Sequence, residues 1–463
     1  MKKAALTLCF IVNLICVHAS HLMGGQITSR NIGGKTYQIT LTLYRDTRGV
    51  AINSTAPINY YDSNDTLIVS NQVPINSSTN IGNGIEEYFY IDTVTFPTIG
   101  KYKITWHDCC RNAAIVNFEP PDYQNFLLEN ELLVDPTNSS PKFLNRPVFF
   151  APINQPYVYN PLPYDIDGDS LFWSLDTPLT IPISDGFGGF EPPPIYTTPS
   201  SDPGMPFTMN PNTGQISFKP NRTGYFVTSV LVREFRNGVE IGIIRRDYQI
   251  IITNATVTPP IIIISSNASG PSSSALILST DSTFRLTATA EVSARNFLEI
   301  EAIGEPLLLS NPPLVQVSND TSLASLSMEW GNNDMFRREK PYTMVLRVTQ
   351  TQNQLRFITD YTIQLFLNSG VLSVSELQKD NFRFEVYPNP SDGNFNISYH
   401  SESPEDGEMN IYSLKGEKIF NQKINLKKGE HLIKFAEKNI SSGYYNLQLI
   451  SNKKLLSKSL IIK

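Results

Sequence analysis

The sequence predicts an all-β protein made of tandem β-sandwich domains, and three observations carry that expectation. Its 32 Pro, 26 Gly and 40 Asn make about a fifth of the 463 residues turn formers, which disfavours long continuous helices. The 25 Phe, 21 Tyr and 3 Trp favour pleated sheet. Apolar residues alternate with polar ones along many short runs, the period of a strand with one buried face. At 40% hydrophobic and 17% charged residues the chain is too apolar to be disordered. A net charge of −6 offers no polycation for a phosphate backbone, which sets nucleic-acid binding aside.

From the N-terminus, Lys2 and Lys3 precede the apolar run 4–17, and Val17-His18-Ala19 presents short residues where a signal peptidase reads. Residues 1–19 therefore read as a secretory signal. Cys16 follows Ile15, not the small residue a lipid-attachment site needs. No later stretch reaches the ~18 apolar residues of a membrane helix, so no transmembrane segment is expected. A first β domain, 20–145, is expected from Ile39, Leu41 and Leu43, which alternate with Gln38, Thr40 and Thr42, and from Tyr102, Ile104 and Trp106. A second, 146–257, carries Leu171, Trp173 and Leu175 on one face, the two-sided apolar run 225–232 of a central strand, and a last strand 248–252. A third, 258–370, has Tyr342, Met344, Leu346 and Val348, then Tyr361, Ile363, Leu365 and Leu367, at period two. A linker, 371–383, leads to a small fourth unit, 384–463. The segment 126–134 reads as the one short helix outside the signal. Trp106, Trp173 and Trp330 read as core anchors, one in each of the first three units.

The C-terminal unit carries the most specific pattern. Tyr387-Pro388-Asn389-Pro390 opens it, a strand over 409–414 runs into Lys415-Gly416-Glu417, and Gly443-Tyr444-Tyr445 starts a closing pair with 460–462. In this order Tyr387, Pro388, Asn389, Pro390, Gly416, Gly443 and Tyr445 resemble the C-terminal sorting domain of the type IX secretion system of Bacteroidota. The resemblance implies a small β-sandwich, the type IX machinery as partner, passage through the outer membrane, and a secreted or surface-attached product. Residues 410–463 hold eleven Lys and three Glu, a net charge of +8, which leaves −14 for the rest. The 410–463 stretch is thus electrostatically distinct from the rest of the chain.

Two segments of the cargo carry candidate chemistry. Residues 20–25, Tyr44-Arg45-Asp46 and His107-Asp108-Cys109-Cys110-Arg111-Asn112 resemble the opening domain of large Bacteroidota surface proteins, some associated with gliding. Relatives often have Cys after the Arg-Asp pair; here Thr47 stands there. Cys109 and Cys110 are left as a free buried pair, a vicinal disulfide or an intermolecular bridge. A zinc site using His21, His107 and both thiolates is the less favoured reading, because no paired CxxC supports it. In the second unit, Asp165-Ile166-Asp167-Gly168-Asp169 places three carboxylates at alternating positions around a glycine. Asp165, Asp167 and Asp169 would converge on calcium, or the segment is an Asp-rich turn bonded to its own backbone. With Asn212-Thr213-Gly214 downstream, it resembles cadherin-like or immunoglobulin-like repeats of bacterial surface proteins.

No HExxH, GxSxG or GxxxxGK is present. Only His21 and His107 remain in the mature cargo to serve a hydrolase. The expected protein is a non-catalytic surface molecule of adhesive or structural role, built of immunoglobulin-like sandwiches, with no cofactor other than calcium. The alternative is a carbohydrate-binding or carbohydrate-active surface protein, which an exposed aromatic row from Tyr60, Tyr61 and Tyr123 would favour.

Overall fold

The computed structural model describes residues 22–367 apart from 121–123, 183–189, 191, 273, 279–282, 294, 332 and 339, and 385–462 apart from 388–390, 392, 402–404, 414–417, 427, 437–439, 442 and 452–454. Residues 1–19, His21, Tyr123, the 371–383 linker, Pro388, Asn389, Pro390 and Gly416 fall outside the described residues.

Alternation in the sequence becomes alternation in burial. Along Thr36–Asp46, Tyr37, Ile39, Leu41 and Leu43 are buried while Gln38 and Thr40 are half-exposed, as the side-chain period of two requires. The class is all-β: the described residues form strands and two short 3-10 turns, with no α-helix. Phe126–Val134, expected as a helix, is a strand. Phe126, Leu128, Leu132 and Val134 point inward at period two, and buried Asn130 fills the remaining inward place by accepting from Ser29 Oγ at 2.9 Å. The adjacent Leu127-Leu128 and Leu132-Leu133 pairs mimic helical spacing.

The first two expected domains share one sheet of eleven strands. A row of seven runs Leu22–Gly33, Thr36–Asp46, Ile85–Thr95, Leu67–Gly82, Thr55–Tyr61, Gly100–Asp108 and Phe126–Val134. Val239–Thr253 pairs with the last strand of this row through Gly242–Ile244 and with the first through Arg246–Tyr248, so the row closes on itself. Ile27, Ile39, Leu41, Ile58, Tyr60, Ile104, Trp106 and Leu132 fill the space it encloses. The long partner Gly224–Arg236 joins Val239–Thr253 through Asn237-Gly238, both at positive φ, the backbone a two-residue hairpin needs. Ser170–Asp176 adds at the far side of Gly224–Arg236. The boundary expected at 145/146 is therefore crossed by backbone hydrogen bonds, and a second core gathers Met23 and Tyr44 from the first segment with Val148, Tyr157, Phe218, Val230 and Ile250.

Residues 261–366 form their own nine-stranded sheet and core, around Trp330, Leu286, Leu326, Leu346 and Ile363. Asp360 ties this part to the preceding one. Its Oδ2 accepts from Asn145 Nδ2 at 2.8 Å and from the Asn160 backbone at 3.0 Å, while Arg347 holds the same carboxylate from within the sheet. The C-terminal unit is separate: a three-stranded and a four-stranded sheet share the core of Phe395, Ile397, Met409, Ile411, Phe435, Leu447 and Leu460.

A buried ion pair of the first body joins Arg111 to Asp247. Both side chains are buried, Nη2 lies 2.6 Å from Oδ2, and the guanidinium sits over the rings of Phe118 and Phe126 at 5.1 and 4.7 Å. Removing one partner would strand the other charge without solvent. Asp247→Ala is expected to lower the unfolding free energy by about 3–5 kcal/mol; an unchanged denaturant midpoint would rule out this role for the pair.

Candidate cation site

The site is built on the hairpin just described and on the turn that precedes Ser170–Asp176. In that turn Asp165 Oδ1 accepts the backbone N–H groups of Asp167 at 3.0 Å and Asp169 at 2.8 Å. Gly168, at φ 85°, supplies the left-handed step that lets the chain fold around the carboxylate. The Asp-rich turn foreseen in the sequence is thus formed.

The three aspartates do not converge. Asp167 turns away, its Oδ2 accepting the Ser139 backbone N–H at 2.6 Å. Asp169 binds Arg236 in a fork, with Nε 2.9 Å from Oδ1 and Nη2 2.5 Å from Oδ2, and Arg236 continues to Asn138 Oδ1 at 2.9 Å. Glu234 takes the third place. It lies two residues before Arg236 and so on the same face of Gly224–Arg236. Oxygens of Asp165, Asp169 and Glu234 lie within 4.8 Å of one another.

Glu234 is 0% exposed and neither of its carboxylate oxygens accepts a hydrogen bond from a protein donor, while the Asp169 carboxyl lies within hydrogen-bonding reach of it. Asp165 Oδ2 is also buried without one. Opposite Glu234 stands Gly242, where a Cβ would collide with Oε2. Sequence reading missed Glu234 because it follows an apolar run and lies 65 residues from the Asp motif; Asn237-Gly238, which sets the hairpin register, was the available signal.

Burial, then the nearby Asp165 and Asp169, push the Glu234 carboxyl up to about 9 from 4.5. Burial likewise pushes Asp165 up to about 6. Asp165 and Asp169 also line a cavity of about 110 Å³, together with Trp173, Tyr164, Lys340 and the Arg338–Glu305 ion pair. Trp173, expected as a core anchor, is half-buried at this cavity with its indole N–H unpartnered, whereas Trp106 and Trp330 are buried. The Asn212-Thr213-Gly214 segment packs beside it: a Cβ at Gly214 would lie 3.3 Å from Trp173 Nε1.

The other candidates stand apart. Cys109 and Cys110 are joined to each other by a disulfide, Cys109 exposed, which leaves no thiolate pair beside the exposed His107. Tyr60 is in the core, donating to Asp92 Oδ2 at 2.6 Å, so it forms no exposed row with Tyr61. Among the sorting residues, Tyr387 ends the strand Glu385–Tyr387, Gly443 opens Gly443–Ser451 opposite Ile462, and Tyr445 pairs with Leu460 and donates to the Ser441 carbonyl at 2.7 Å.

Residues 385–463 match the family model of the secretion system C-terminal sorting domain. No curated protein matches the chain. Among solved structures it is similar to latent PorU from Porphyromonas gingivalis, at 12% identity and TM-score 0.19, over 68% of this chain and 32% of that one. It is also similar to a chain of the complex of Dpr2 Ig1–Ig2 with DIP-Theta Ig1–Ig3, at 11% identity and TM-score 0.17, over 72% and 95% of the two chains. A third is E. coli α-2-macroglobulin, at 10% identity and TM-score 0.20, over 95% and 28%. The chain thus spans about a third of the PorU chain it matches. The match at residues 385–463 indicates a secreted or cell-surface protein of a Bacteroidota bacterium. Among the described residues no helix is long and apolar enough to cross a membrane.

A raised carboxyl pKa means the folded state binds protons more tightly than the unfolded chain, so this contribution to stability is full below the ordinary carboxylate range and lost as pH climbs. Without divalent cations, the melting temperature is expected to fall between pH 5 and about 9, the window set by Asp165 and Glu234. Glu234→Gln, which holds no titrating proton, should flatten that fall in a calorimetric pH series; an equal slope in the variant would refute the assignment.

Proposed function

We propose that this is a non-catalytic display protein, in which residues 22–367 form a rigid body that meets other surfaces in adhesion or in a structural layer. The observation that carries this reading is the pairing of a sorting tail with an all-β body whose buried ion pairs, Arg111–Asp247 and Arg347–Asp360, tie its segments together. Arg111–Asp247 and Arg347–Asp360 each sit in fixed ion pairs. Neither pair converges with a nucleophile on a place for a reacting atom, as acyl-transfer or hydrolytic sites do. His107, the one histidine among the described residues of the body, lies exposed on a strand. Rigid sheets with exposed connections suit recognition by loops.

The cavity beside Trp173 and Tyr164 favours a second reading, glycan recognition. A half-buried indole with a free N–H, flanked by carboxylates and cationic side chains, offers stacking and hydrogen bonds together. A glycan array with the purified protein separates the two. Adhesion through protein or surface contacts predicts no defined sugar; binding to one sugar that Trp173→Ala abolishes would replace it with the glycan reading.

Export has its own test. Deleting residues 384–463 is expected to leave the protein in the periplasm, detected by cell fractionation. Surface delivery at the normal level would contradict the role given to the tail.

A further inference from the structure

We propose that Asp165, Asp169 and Glu234 bind a divalent cation of calcium's size and chemistry, joining the 165–170 turn to the Gly224–Arg236 strand. The donor set differs from the one the sequence suggests: Asp167 is outside it and Glu234 inside it.

The argument starts from Glu234. A carboxylate with no exposed surface and no donor to either oxygen, facing a second carboxyl at Asp169, is among the costliest groups a fold can bury, unless it is neutralised by a proton or by a cation. Arg236, two residues further along the same strand, has its fork turned onto Asp169 and its remaining donors onto Thr137 and Asn138. Asp165 repeats the pattern on a smaller scale: Oδ1 is spent on the turn while Oδ2 is buried and unpartnered. Three carboxylates thus present oxygens within 4.8 Å of one another. Two oxygens on opposite sides of a calcium ion at ~2.4 Å are about 4.8 Å apart, so this spread suits one shared ion.

The choice of ion follows from the donors. All are hard carboxylate oxygens, without nitrogen or sulfur, which disfavours zinc and copper. Magnesium keeps several waters in a near-ideal octahedron. Here one ligand is wholly enclosed, and the carboxylate oxygens come from a turn and a strand whose backbones are fixed by other bonds. Calcium accepts such irregular shells. The 110 Å³ cavity that Asp165 and Asp169 line gives an approach and room for waters to complete the shell. Lys340 and the Arg338–Glu305 pair line the same cavity.

Binding would tie three segments together. Asp167 already holds Ser139, and Arg236 holds Asn138, so the cation would complete a knot between the turn, the hairpin and the 135–140 connection.

The test uses the purified protein, stripped with chelator and then given calcium, magnesium or terbium. Calcium at 5 mM is expected to raise the melting temperature by about 5 °C, the effect of an ion near 100-fold above its dissociation constant on a chain of this size. Magnesium is expected to give less than half that rise. Terbium luminescence excited through Trp173, which lines the same cavity, should appear and be displaced by calcium. Glu234→Gln, nearly isosteric, should weaken calcium binding at least tenfold, while Asp167→Asn should keep the calcium-dependent rise. Circular dichroism establishes that each variant is folded. No response to millimolar calcium, an equal response to magnesium, a response retained in Glu234→Gln, or one lost in Asp167→Asn with Glu234 intact would each overturn the proposal.

Discussion

The strand Val239–Thr253 is the constraint on which the cargo depends, and the ion pair of Arg111 with Asp247 fixes it in place. This strand pairs along its length with Gly224–Arg236 on one side, and in succession with Phe126–Val134, Leu22–Gly33 and Phe150–Pro152 on the other. Its side chains from Ile243 to Ile252 are buried apart from half-buried Arg245. Two consecutive charged residues, Arg246 and Asp247, point to opposite faces and are satisfied in different cores. Arg246 donates to Gln26, the Asn145 carbonyl and Tyr159, over the ring of Phe143, while Asp247 receives Arg111. A buried ion pair is weak evidence for net stability, but an unmatched alternative register would leave these charges unpaired. The pairs therefore select one register for a strand whose apolar content alone would tolerate others.

The same strand explains where the candidate site lies. Register across the Asn237-Gly238 hairpin brings Gly242 opposite Glu234, and the missing side chain at 242 leaves the space into which Glu234 reaches. Across Gly224–Arg236, Ser170 pairs with Phe235, so the Asp turn ends beside Glu234 and Arg236. The acidic cluster is a product of two hairpin registers, and of a turn that closes on its own backbone through Asp165.

Much of this was legible in the sequence, for identifiable reasons. Strands with one wet face, such as Thr36–Asp46 and Tyr342–Gln352, declare themselves by alternation, and the sorting tail by the order of its turns and aromatics. Phe126–Val134 escaped because paired leucines blur the period and because polar Asn130 occupies an inward position. The shared sheet escaped because pairing of Leu22–Gly33 with Val239–Thr253 spans more than 200 residues and leaves no local mark. Asp165 and Asp169 were visible as a motif, but the turning away of Asp167 depends on Ser139, and the entry of Glu234 on a distant strand. Local chemistry was readable; which side chains meet was set by long-range register.

The central structural claim is that the segments 22–134 and 224–253 are one cooperative body. Native-state hydrogen exchange followed by mass spectrometry in rising denaturant tests it most directly. Amides of Leu22–Gly33, Phe126–Val134 and Val239–Thr253 are expected to lose protection together, at a common opening free energy. Earlier, independent loss in the 22–134 strands, with 224–253 still protected, would contradict the shared sheet.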